Sequence, residues 1–145
     1  MNLRSLGQRD VESVLAIQSG CPEIAQWTMW DYLQVARGEM SGWIAEESNE
    51  IAGFLVARRV FTDIEILNLA VRPESRRRGV GAHLLQAALD WGRSLPTEKA
   101  MLEVRASNLA ALKFYERFGF RASGRRPRYY AAPTEDALLL TASLV

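Results

Sequence analysis

The spacing of hydrophobic residues along the chain changes from a helical period to a strand period and then alternates between the two. Two early segments place apolar side chains three and four residues apart, which is typical of amphipathic helices. Three runs of period two follow, which predicts strands. These elements are an opening strand at Asn2–Ser5, helices at Gln8–Ser19 and Met29–Arg37, and strands at Trp43–Glu47, Ile51–Arg59 and Ile64–Val71, with a hairpin turn at Ser48–Asn49.

In the second half, helices and strands alternate. A basic loop with two glycines, Glu74–Ala82, opens a helix with leucines at helical spacing, and four further elements follow: a strand at Lys99–Ala106, a helix at Asn108–Phe118, and strands at Phe120–Tyr130 and Asp136–Leu144. The predicted order is β-α-α-β-β-β-α-β-α-β-β, an α/β (α+β) fold in which helices flank a mixed, mostly antiparallel central sheet. Without an internal linker or repeat, residues 1–145 are expected to form a single domain.

Composition narrows the class of protein. With 48% hydrophobic and 24% charged residues the chain has the average composition of globular domains, which excludes disorder. No apolar run approaches the ~18 residues of a membrane span, and the N-terminus lacks the apolar core of a secretion signal. The lone Cys21 cannot form an internal disulfide. We therefore expect a cytoplasmic protein without a membrane partner.

Charge is divided unevenly along the chain. The net charge of +1 argues against direct nucleic-acid binding. Residues 1–65 hold 5 basic and 10 acidic side chains, whereas residues 66–145 hold 13 basic and 7 acidic ones. An anionic ligand is therefore expected at the second half and a cationic one at the first, although a chance distribution over two solvated faces explains the counts equally well.

The glycine loop has the composition of an anion site. Gly79 and Gly81 precede or open a helix, whose first N–H groups are unpaired and lie at the positive end of the helix dipole, and Arg76–Arg78 add positive charge. The dinucleotide fingerprint would need a third glycine near Leu84, and the P-loop ending is also absent. A tight turn with solvated arginines is the alternative.

The segment Arg76–Ala82, placed after Leu69–Val71, resembles the pyrophosphate-binding motif of the GCN5-related N-acetyltransferase (GNAT) family. The likeness continues through Leu102–Asn108, Phe114–Glu116 and Gly119–Phe120, and the element order agrees over the whole chain. Within the family, the block formed by Leu102–Asn108, Tyr115 and Gly119–Phe120 resembles the enzymes that acetylate the N-terminal alanine of a ribosomal protein. Two further segments share this narrower resemblance, namely Trp27–Thr28 and Arg128–Tyr130 with Asp136–Ala137.

The resemblance implies acetyl-CoA as co-substrate and a ribosomal-protein N-terminus as acceptor. We also expect no metal, because the single His83 would need further ligands, and a monomer or weak dimer. It implies cofactor contacts from twelve residues, which are Leu69, Ala70, Val71, Arg76, Arg77, Arg78, Gly79, Val80, Gly81, Ala82, Asn108 and Tyr115. Trp27, Tyr129 and Tyr130 are expected to hold a short extended peptide with a free α-amine, followed by a cationic side chain. Asn108 is equally suited to an ordinary helix cap.

Two residues are candidates for proton transfer. Glu103 interrupts the apolar strand Met101–Val104, where a buried carboxylate is a stronger base, and is the candidate general base. Its alternative is a solvent face, paired with Arg105. The spacing around Tyr115 is that of a core tyrosine, whereas the resemblance implies a general acid for the departing thiolate. Cys21 as nucleophile and His83 as more than a capping residue are disfavoured alternatives.

Other functions remain open at this point. The same fold could acetylate a small amine, such as a polyamine or antibiotic, or a lysine side chain. A non-catalytic acyl-CoA sensor would need the glycine loop but neither Glu103 nor Tyr115, so these residues favour an enzyme. Arg125, Arg126 and Arg128 could form a solvated strand face or contact the acceptor or a phosphate.

Overall fold

A computed structural model describes all 145 residues, Met1–Val145, and contains the predicted elements in the predicted order. The strands are β1 (Asn2–Ser5), β2 (Ser41–Glu47), β3 (Glu50–Val60), β4 (Asp63–Val71), β5 (Lys99–Arg105), β6 (Arg121–Ala131) and β7 (Thr134–Ser143). The helices are α1 (Val11–Ser19), α2 (Met29–Ala36), α3 (Val80–Arg93) and α4 (Leu109–Arg117). The predicted first helix begins as a 3-10 turn at Gln8–Asp10. None of these helices has the length and apolar character needed to cross a bilayer.

Local sequence signals account for several element ends. Thr28 caps α2, because its hydroxyl accepts a hydrogen bond from the Asp31 N–H while the Asp31 carboxylate accepts one from the Thr28 N–H. Ser48 and Asn49 both have positive φ, 51° and 65°, as the hairpin turn between β2 and β3 requires. Gly119, with φ of 90°, follows α4 in the left-handed region.

The seven strands form one sheet in the order β1-β2-β3-β4-β5-β7-β6. Every neighbouring pair is antiparallel except β4 and β5, so the prediction of a mixed, mostly antiparallel sheet is confirmed. The parallel pair is short, since only Asp63–Glu65 and Lys99–Met101 are in register. Beyond these residues β4 and β5 part, which opens the sheet at its centre.

Two apolar clusters cover the faces of the sheet. Helix α3 packs on one face, and its buried side chains, including Leu84, Leu85 and Ala88, lie against Ile64 of β4 and Leu102 of β5. Helices α1 and α2 cover the other face. Burial of each large aliphatic side chain stabilises the fold by about 1.5–3 kcal/mol. Because side chains of α3, β4 and β5 share this cluster, packing on α3 helps to hold β4 and β5 together where their ladder is short.

Strand β4 contains a bulge beside the opening. Val56 of β3 pairs with Asn68, whereas the next residue, Ala57, pairs with Ile66, so Leu67 is left without a partner. Because of the extra residue, the side chains of Ile66 and Asn68 point to opposite faces of the sheet, whereas in a regular strand they would share a face. Ile66 points into the α3 cluster, and Asn68 points towards α1 and α2.

A buried polar network ties Asn68 to the loop between α1 and α2. The Asn68 amide donates hydrogen bonds to the Tyr32 hydroxyl (3.0 Å) and to the Ala25 carbonyl (3.1 Å). The Tyr32 hydroxyl donates to Gln18 Oε1, and the Gln18 amide also holds the backbone N–H and carbonyl of Trp27 at 2.9 and 2.8 Å. Each residue of this network therefore has a hydrogen-bond partner, and the network fixes the loop between α1 and α2 against β4.

Candidate active site

A cleft of about 630 Å³ lies where β4 and β5 part. One wall is formed by Glu65–Val71 of β4, and the other by Leu102–Val104 of β5 together with the first turns of α4. The loop after α1 and residues of β6 complete the mouth. The sheet thus presents backbone and side chains from distant parts of the sequence to one space.

The glycine loop lies at one end of the cleft and has the geometry of an anion site. Gly79 has φ of 80° and stands immediately before α3, whose first N–H groups have no partner within the helix. Gly81 lines the cleft, and a Cβ built there would lie 3.5 Å from the Phe114 ring. Gly81 therefore presents backbone without a side chain on the cleft wall, next to the first N–H groups of α3 that a phosphate would meet.

The three loop arginines differ in position. The Arg76 side chain turns inwards, donating to the Val71 carbonyl at 3.2 Å and to Cys21 Sγ at 3.2 Å. Arg77 and Arg78 are exposed, and Arg78 lies 4.0 Å from Glu47. Both guanidinium groups lie outside the cleft, and Arg77 has no ion-pair partner in the protein, whereas Arg76 links the glycine loop to Cys21 in the loop after α1.

The structure brings part of the predicted cofactor set into the cleft. The residues that line it are Leu69, Ala70, Val71, Arg76, Gly81, Asn108 and Tyr115. Arg77, Arg78, Gly79 and Ala82 do not line it, and Val80 is buried in the α3 cluster, so any contribution of Gly79–Ala82 beyond Gly81 is through backbone N–H groups. Asn108 is an N-cap, accepting from the Ala111 N–H at 3.2 Å, while it also lines the cleft.

Glu103 lies on the β5 face that looks away from α3. Its neighbours Leu102 and Val104 point into the α3 cluster, so alternation along the strand directs Glu103 into the cleft. The side chain is 16% exposed, with Oε1 3.4 Å from the Arg126 guanidinium. Oε2 is buried and has no hydrogen-bond partner in the protein.

Arg105 is not the partner of Glu103, and the alternative pairing is wrong. Arg105 lies 3.3 Å from Glu135 and stacks over the Tyr130 ring at 4.3 Å. Glu103 and Arg105 lie on the same face of β5, as the strand period requires. Different residues of the β6–β7 hairpin contact them, since Arg126 lies beside Glu103 whereas Glu135 and Tyr130 lie beside Arg105.

Tyr115 is both a core residue and a cleft residue. Its ring packs in edge contacts with Phe114 (5.2 Å) and Phe120 (5.6 Å) against the α3 cluster. Burial raises the pKa of the Tyr115 hydroxyl, and no hydrogen bond contributes to this shift. The hydroxyl is protonated at neutral pH, as an ordinary tyrosine is, and its burial makes it a weaker acid.

Two of the three predicted acceptor aromatics line the cleft. Between Arg126 and Tyr130 the β6–β7 ladder slips, Arg128 has φ of 52°, and Tyr129 and Tyr130 line the mouth. Burial, followed by the charge of Glu103, raises the pKa of Tyr130 to about 12. Trp27 does not line the cleft, since its ring packs 5.3 Å from that of Tyr32.

The cleft also holds charged residues that the sequence analysis did not single out. Each of its three carboxylates lies near an arginine, in pairs formed by Glu23 and Arg76 (3.5 Å), Glu65 and Arg58 (2.8 Å), and Glu103 and Arg126 (3.4 Å). Two of the pairs join residues more than twenty positions apart, which no local pattern can show. The three carboxylates and three arginines that line the cleft therefore balance in charge, and Glu103 Oε2 is the buried carboxylate oxygen among them without a partner.

Cys21 and His83 have structural surroundings. Cys21 is buried at the cleft, where desolvation raises the pKa of its thiol despite the hydrogen bond from Arg76. A neutral thiol is a poor nucleophile, which argues against a covalent cysteine intermediate. His83 Nδ1 lies 2.7 Å from the Gly79 carbonyl at the start of α3. No group of three His, Cys, Asp or Glu side chains is arranged to hold a metal ion.

Comparison with known proteins defines the class. The family model for the acetyltransferase (GNAT) family matches residues 11–120, so the chain belongs to that family, and the predicted fold is confirmed. Members of this family use acetyl-CoA. The match includes β4, the glycine loop, β5 and α4, which are the elements that surround the cleft.

Particular relatives point to a narrower group. The chain is 36% identical over 94 residues to the ribosomal protein bS18-alanine N-acetyltransferase of Salmonella typhimurium, an alignment that covers 63% of this chain and 64% of the relative. The chain thus spans just under two thirds of the length of the curated relatives it matches. The crystal structure of the ribosomal-protein-alanine N-acetyltransferase of Escherichia coli superposes with a TM-score of 0.89 at 26% identity, covering 99% of this chain and 93% of that one. Arabidopsis thaliana NAA60 in complex with acetyl-CoA shares the fold, with a TM-score of 0.86 at 21% identity and coverages of 98% and 97%.

Proposed function

We propose that this protein transfers the acetyl group of acetyl-CoA to the N-terminal α-amine of a protein, and that its acceptor is the N-terminal alanine of a small-subunit ribosomal protein. The observation that carries the proposal is that Glu103 and Tyr115, on two different elements, line the same cleft as Gly81 of the glycine loop. The relatives from Salmonella typhimurium and Escherichia coli are ribosomal-protein alanine N-acetyltransferases, which supports the acceptor. Residues 1–145 are proposed to act as one catalytic domain, in the cytoplasm, as a monomer or weak dimer.

The residues present fit acetyl-CoA. Unpartnered N–H groups at the start of α3 and the open face of Gly81 would hold the pyrophosphate, and the parted strands leave room for an extended arm along Leu69–Val71. The bound co-substrate supplies an acetyl thioester, whose carbonyl carbon accepts the amine while the carbon–sulfur bond breaks. Every proton that moves in this exchange has a candidate group in the cleft.

Glu103 is suited to remove a proton from the acceptor. Only a neutral amine attacks a thioester, and an ammonium group entering the cleft must first lose a proton. Oε2 of Glu103 is buried and unpartnered, so it is free to accept that proton. An α-amine, with a reference pKa of ~7.7–8.0 against ~10.4 for lysine, is easier to deprotonate by roughly 3 kcal/mol, which favours a chain terminus.

Tyr115 is suited to give a proton to the departing sulfur. Its hydroxyl is protonated at neutral pH, as an ordinary tyrosine is, and burial raises its pKa further. Since the higher pKa makes the hydroxyl a weaker acid, the proposed role rests on its position in the cleft and on the cost of a bare thiolate there. Two protons leave the ammonium acceptor as the amide forms: Glu103 takes the first and passes it to solvent, and the second replaces the proton that Tyr115 gives to the thiolate, so both groups return to their starting states.

The shape and charge of the mouth favour a peptide over a polyamine. The loop residues Glu23, Ile24 and Ala25 line the same cleft as Tyr129 and Tyr130, and these aromatic side chains suit an extended backbone. Each of the three cleft carboxylates lies near an arginine, so the cleft has no net negative charge to attract a polycation. For the same reason, the cationic side chain expected to follow the α-amine would have to lie outside the cleft.

Mass spectrometry of an acceptor panel tests the proposal. The panel comprises a peptide beginning Ala-Arg, its N-blocked counterpart containing lysine, and spermidine, each incubated with acetyl-CoA. We expect kcat/KM about tenfold or more higher for the free α-amine than for either alternative, from the difference in amine basicity alone. A higher value for spermidine would refute the acceptor assignment and leave acetyl transfer standing, whereas no transfer to any amine would refute the enzyme.

A further inference from the structure

Arg126 reaches Glu103 although strand β7 lies between them. Glu103 is in register with Leu139 of β7, and Leu139 with Gly124 of β6, so Gly124 stands two strands away from Glu103. Arg126 is two residues further along β6 and therefore points to the same face. Because Ala137 of β7, which is in register with Arg126, has only a methyl side chain, the face between β6 and β5 stays open at this point. The long Arg126 side chain crosses it.

The contact occupies only one oxygen of the carboxylate. Arg126 Nη2 lies 3.4 Å from Glu103 Oε1, whereas Oε2 is left without a partner. The guanidinium also lies over the Tyr129 ring, 5.6 Å from its centroid, which holds it at the mouth of the cleft. The Arg126 side chain is 60% exposed and that of Glu103 is 16% exposed, so the cation approaches from the solvent side.

The other cations of the cleft are committed elsewhere. Arg58 lies 2.8 Å from Glu65, and Arg105 lies 3.3 Å from Glu135. Arg76 donates to Cys21 and to the Val71 carbonyl. Arg126 is thus the cation that the fold assigns to Glu103.

We propose that Arg126 is a positioning residue for acetyl transfer, which holds Glu103 through Oε1 as an oriented carboxylate and leaves Oε2 to take the proton of the acceptor amine. This inference rests on the proposed function. It also predicts a cost, because a guanidinium beside the base repels the ammonium form of the acceptor. Arg126 therefore favours the rate of proton transfer over the affinity for the acceptor.

Steady-state kinetics with three variants separate this role from acceptor binding. Arg126→Gln is expected to lower kcat about tenfold, a part of the roughly 10²–10⁴-fold that a general base contributes. The acceptor KM should stay the same or fall, and the acetyl-CoA Kd from calorimetry should not change. Arg126→Lys keeps the charge and should recover most of the rate. Arg125→Gln is the matched control, since Arg125 is the adjacent residue, is 56% exposed and pairs with Asp136 rather than with Glu103.

The same substitution in a Glu103→Gln background is the decisive measurement. If Arg126 acts through the carboxylate, Arg126→Gln should have no further effect on kcat there. An equal loss in both backgrounds, or a raised acceptor KM at unchanged kcat, would overturn the inference. Full activity of Glu103→Gln alone would overturn both the base assignment and the role of Arg126. A large loss of activity in Glu103→Gln, with no effect of Arg126→Gln, would overturn only the role of Arg126.

Discussion

Replacing Tyr32 by phenylalanine removes one oxygen from the buried network that joins β4 to the loop after α1. The Tyr32 side chain is fully buried, and its hydroxyl takes part in two hydrogen bonds, one donated to Gln18 and one accepted from Asn68. The ring keeps its contacts with Trp27 and Phe54, so the perturbation is confined to the hydroxyl.

The magnitude follows from what the two partners retain. Gln18 Oε1 still accepts from the Trp27 N–H, and the Asn68 amide still donates to the Ala25 carbonyl. Neither group is left entirely unsatisfied, so the loss is that of two ordinary hydrogen bonds, about 1–2 kcal/mol, rather than the larger cost of orphaned groups. For a chain of this length such a loss lowers Tm by about 3–6 °C.

Urea unfolding followed by circular dichroism measures the effect, with Tyr129→Phe as the control. Tyr129 is 52% exposed, and removal of its hydroxyl should change the free energy of unfolding by less than about 0.5 kcal/mol. If Tyr32→Phe is as stable as this control, the network does not contribute as described. A loss above about 4 kcal/mol would equally refute the reasoning, because it would mean that Gln18 or Asn68 loses all its partners.

Four further predictions concern the site and the pH dependence of stability. Glu103→Gln should lower kcat by about 10²–10⁴-fold and leave the acetyl-CoA Kd unchanged by calorimetry, with a smaller loss at high pH, where the amine is already neutral; a defect independent of pH would make Glu103 a positioning residue. Tyr115→Phe keeps the ring packing and should slow turnover at unchanged Tm, so a wild-type rate would reduce Tyr115 to a core residue. Gly81→Val places a side chain on the cleft wall beside the Phe114 ring and should weaken acetyl-CoA binding about tenfold or more, and unchanged affinity in the folded variant would remove the glycine-loop assignment. Burial acts to raise the pKa of Asp10, but hydrogen bonds from Arg4 and the Gly7 N–H lower it below its ordinary value. The stabilisation is therefore present at neutral pH and is lost as pH falls below about 4, so the difference in unfolding free energy between wild type and Asp10→Asn should shrink towards pH 2 in urea titrations.

The elements were predictable from the sequence because each carries its own local signal. The alternation in β5 places Leu102 and Val104 in the core and so isolates Glu103 on the other face. Thr28 and Gly119 lie at element ends for reasons of capping and backbone conformation that depend only on near neighbours.

The parts that could not be predicted depend on the order of the strands. That Arg126 and not Arg105 is the partner of Glu103 follows from β7 lying between β5 and β6, and strand order is not encoded in any single segment. The place of Trp27 against Tyr32 has the same origin, since it requires Asn68 of β4 to hold the loop from across the molecule. Local patterns predict which side chains are buried, whereas the long-range pairs decide which of them meet.

The short ladder between β4 and β5 makes the width of the cleft a property of the core beneath it. Three pairs of residues fix the two strands at one end. Beyond them β4 is held by its ladder with β3 and β5 by its ladder with β7, and both strands pack on α3. At the fixed end α3 comes so close that a Cβ on Gly92 would lie 2.7 Å from Ile64 Cδ1. The helix thus carries Gly92 near the fixed end of the ladder and the larger Leu84 and Leu85 nearer its own start. We therefore expect a change in side-chain volume on this helix to alter the separation of β4 and β5, and with it the fit of a ligand that lies between them.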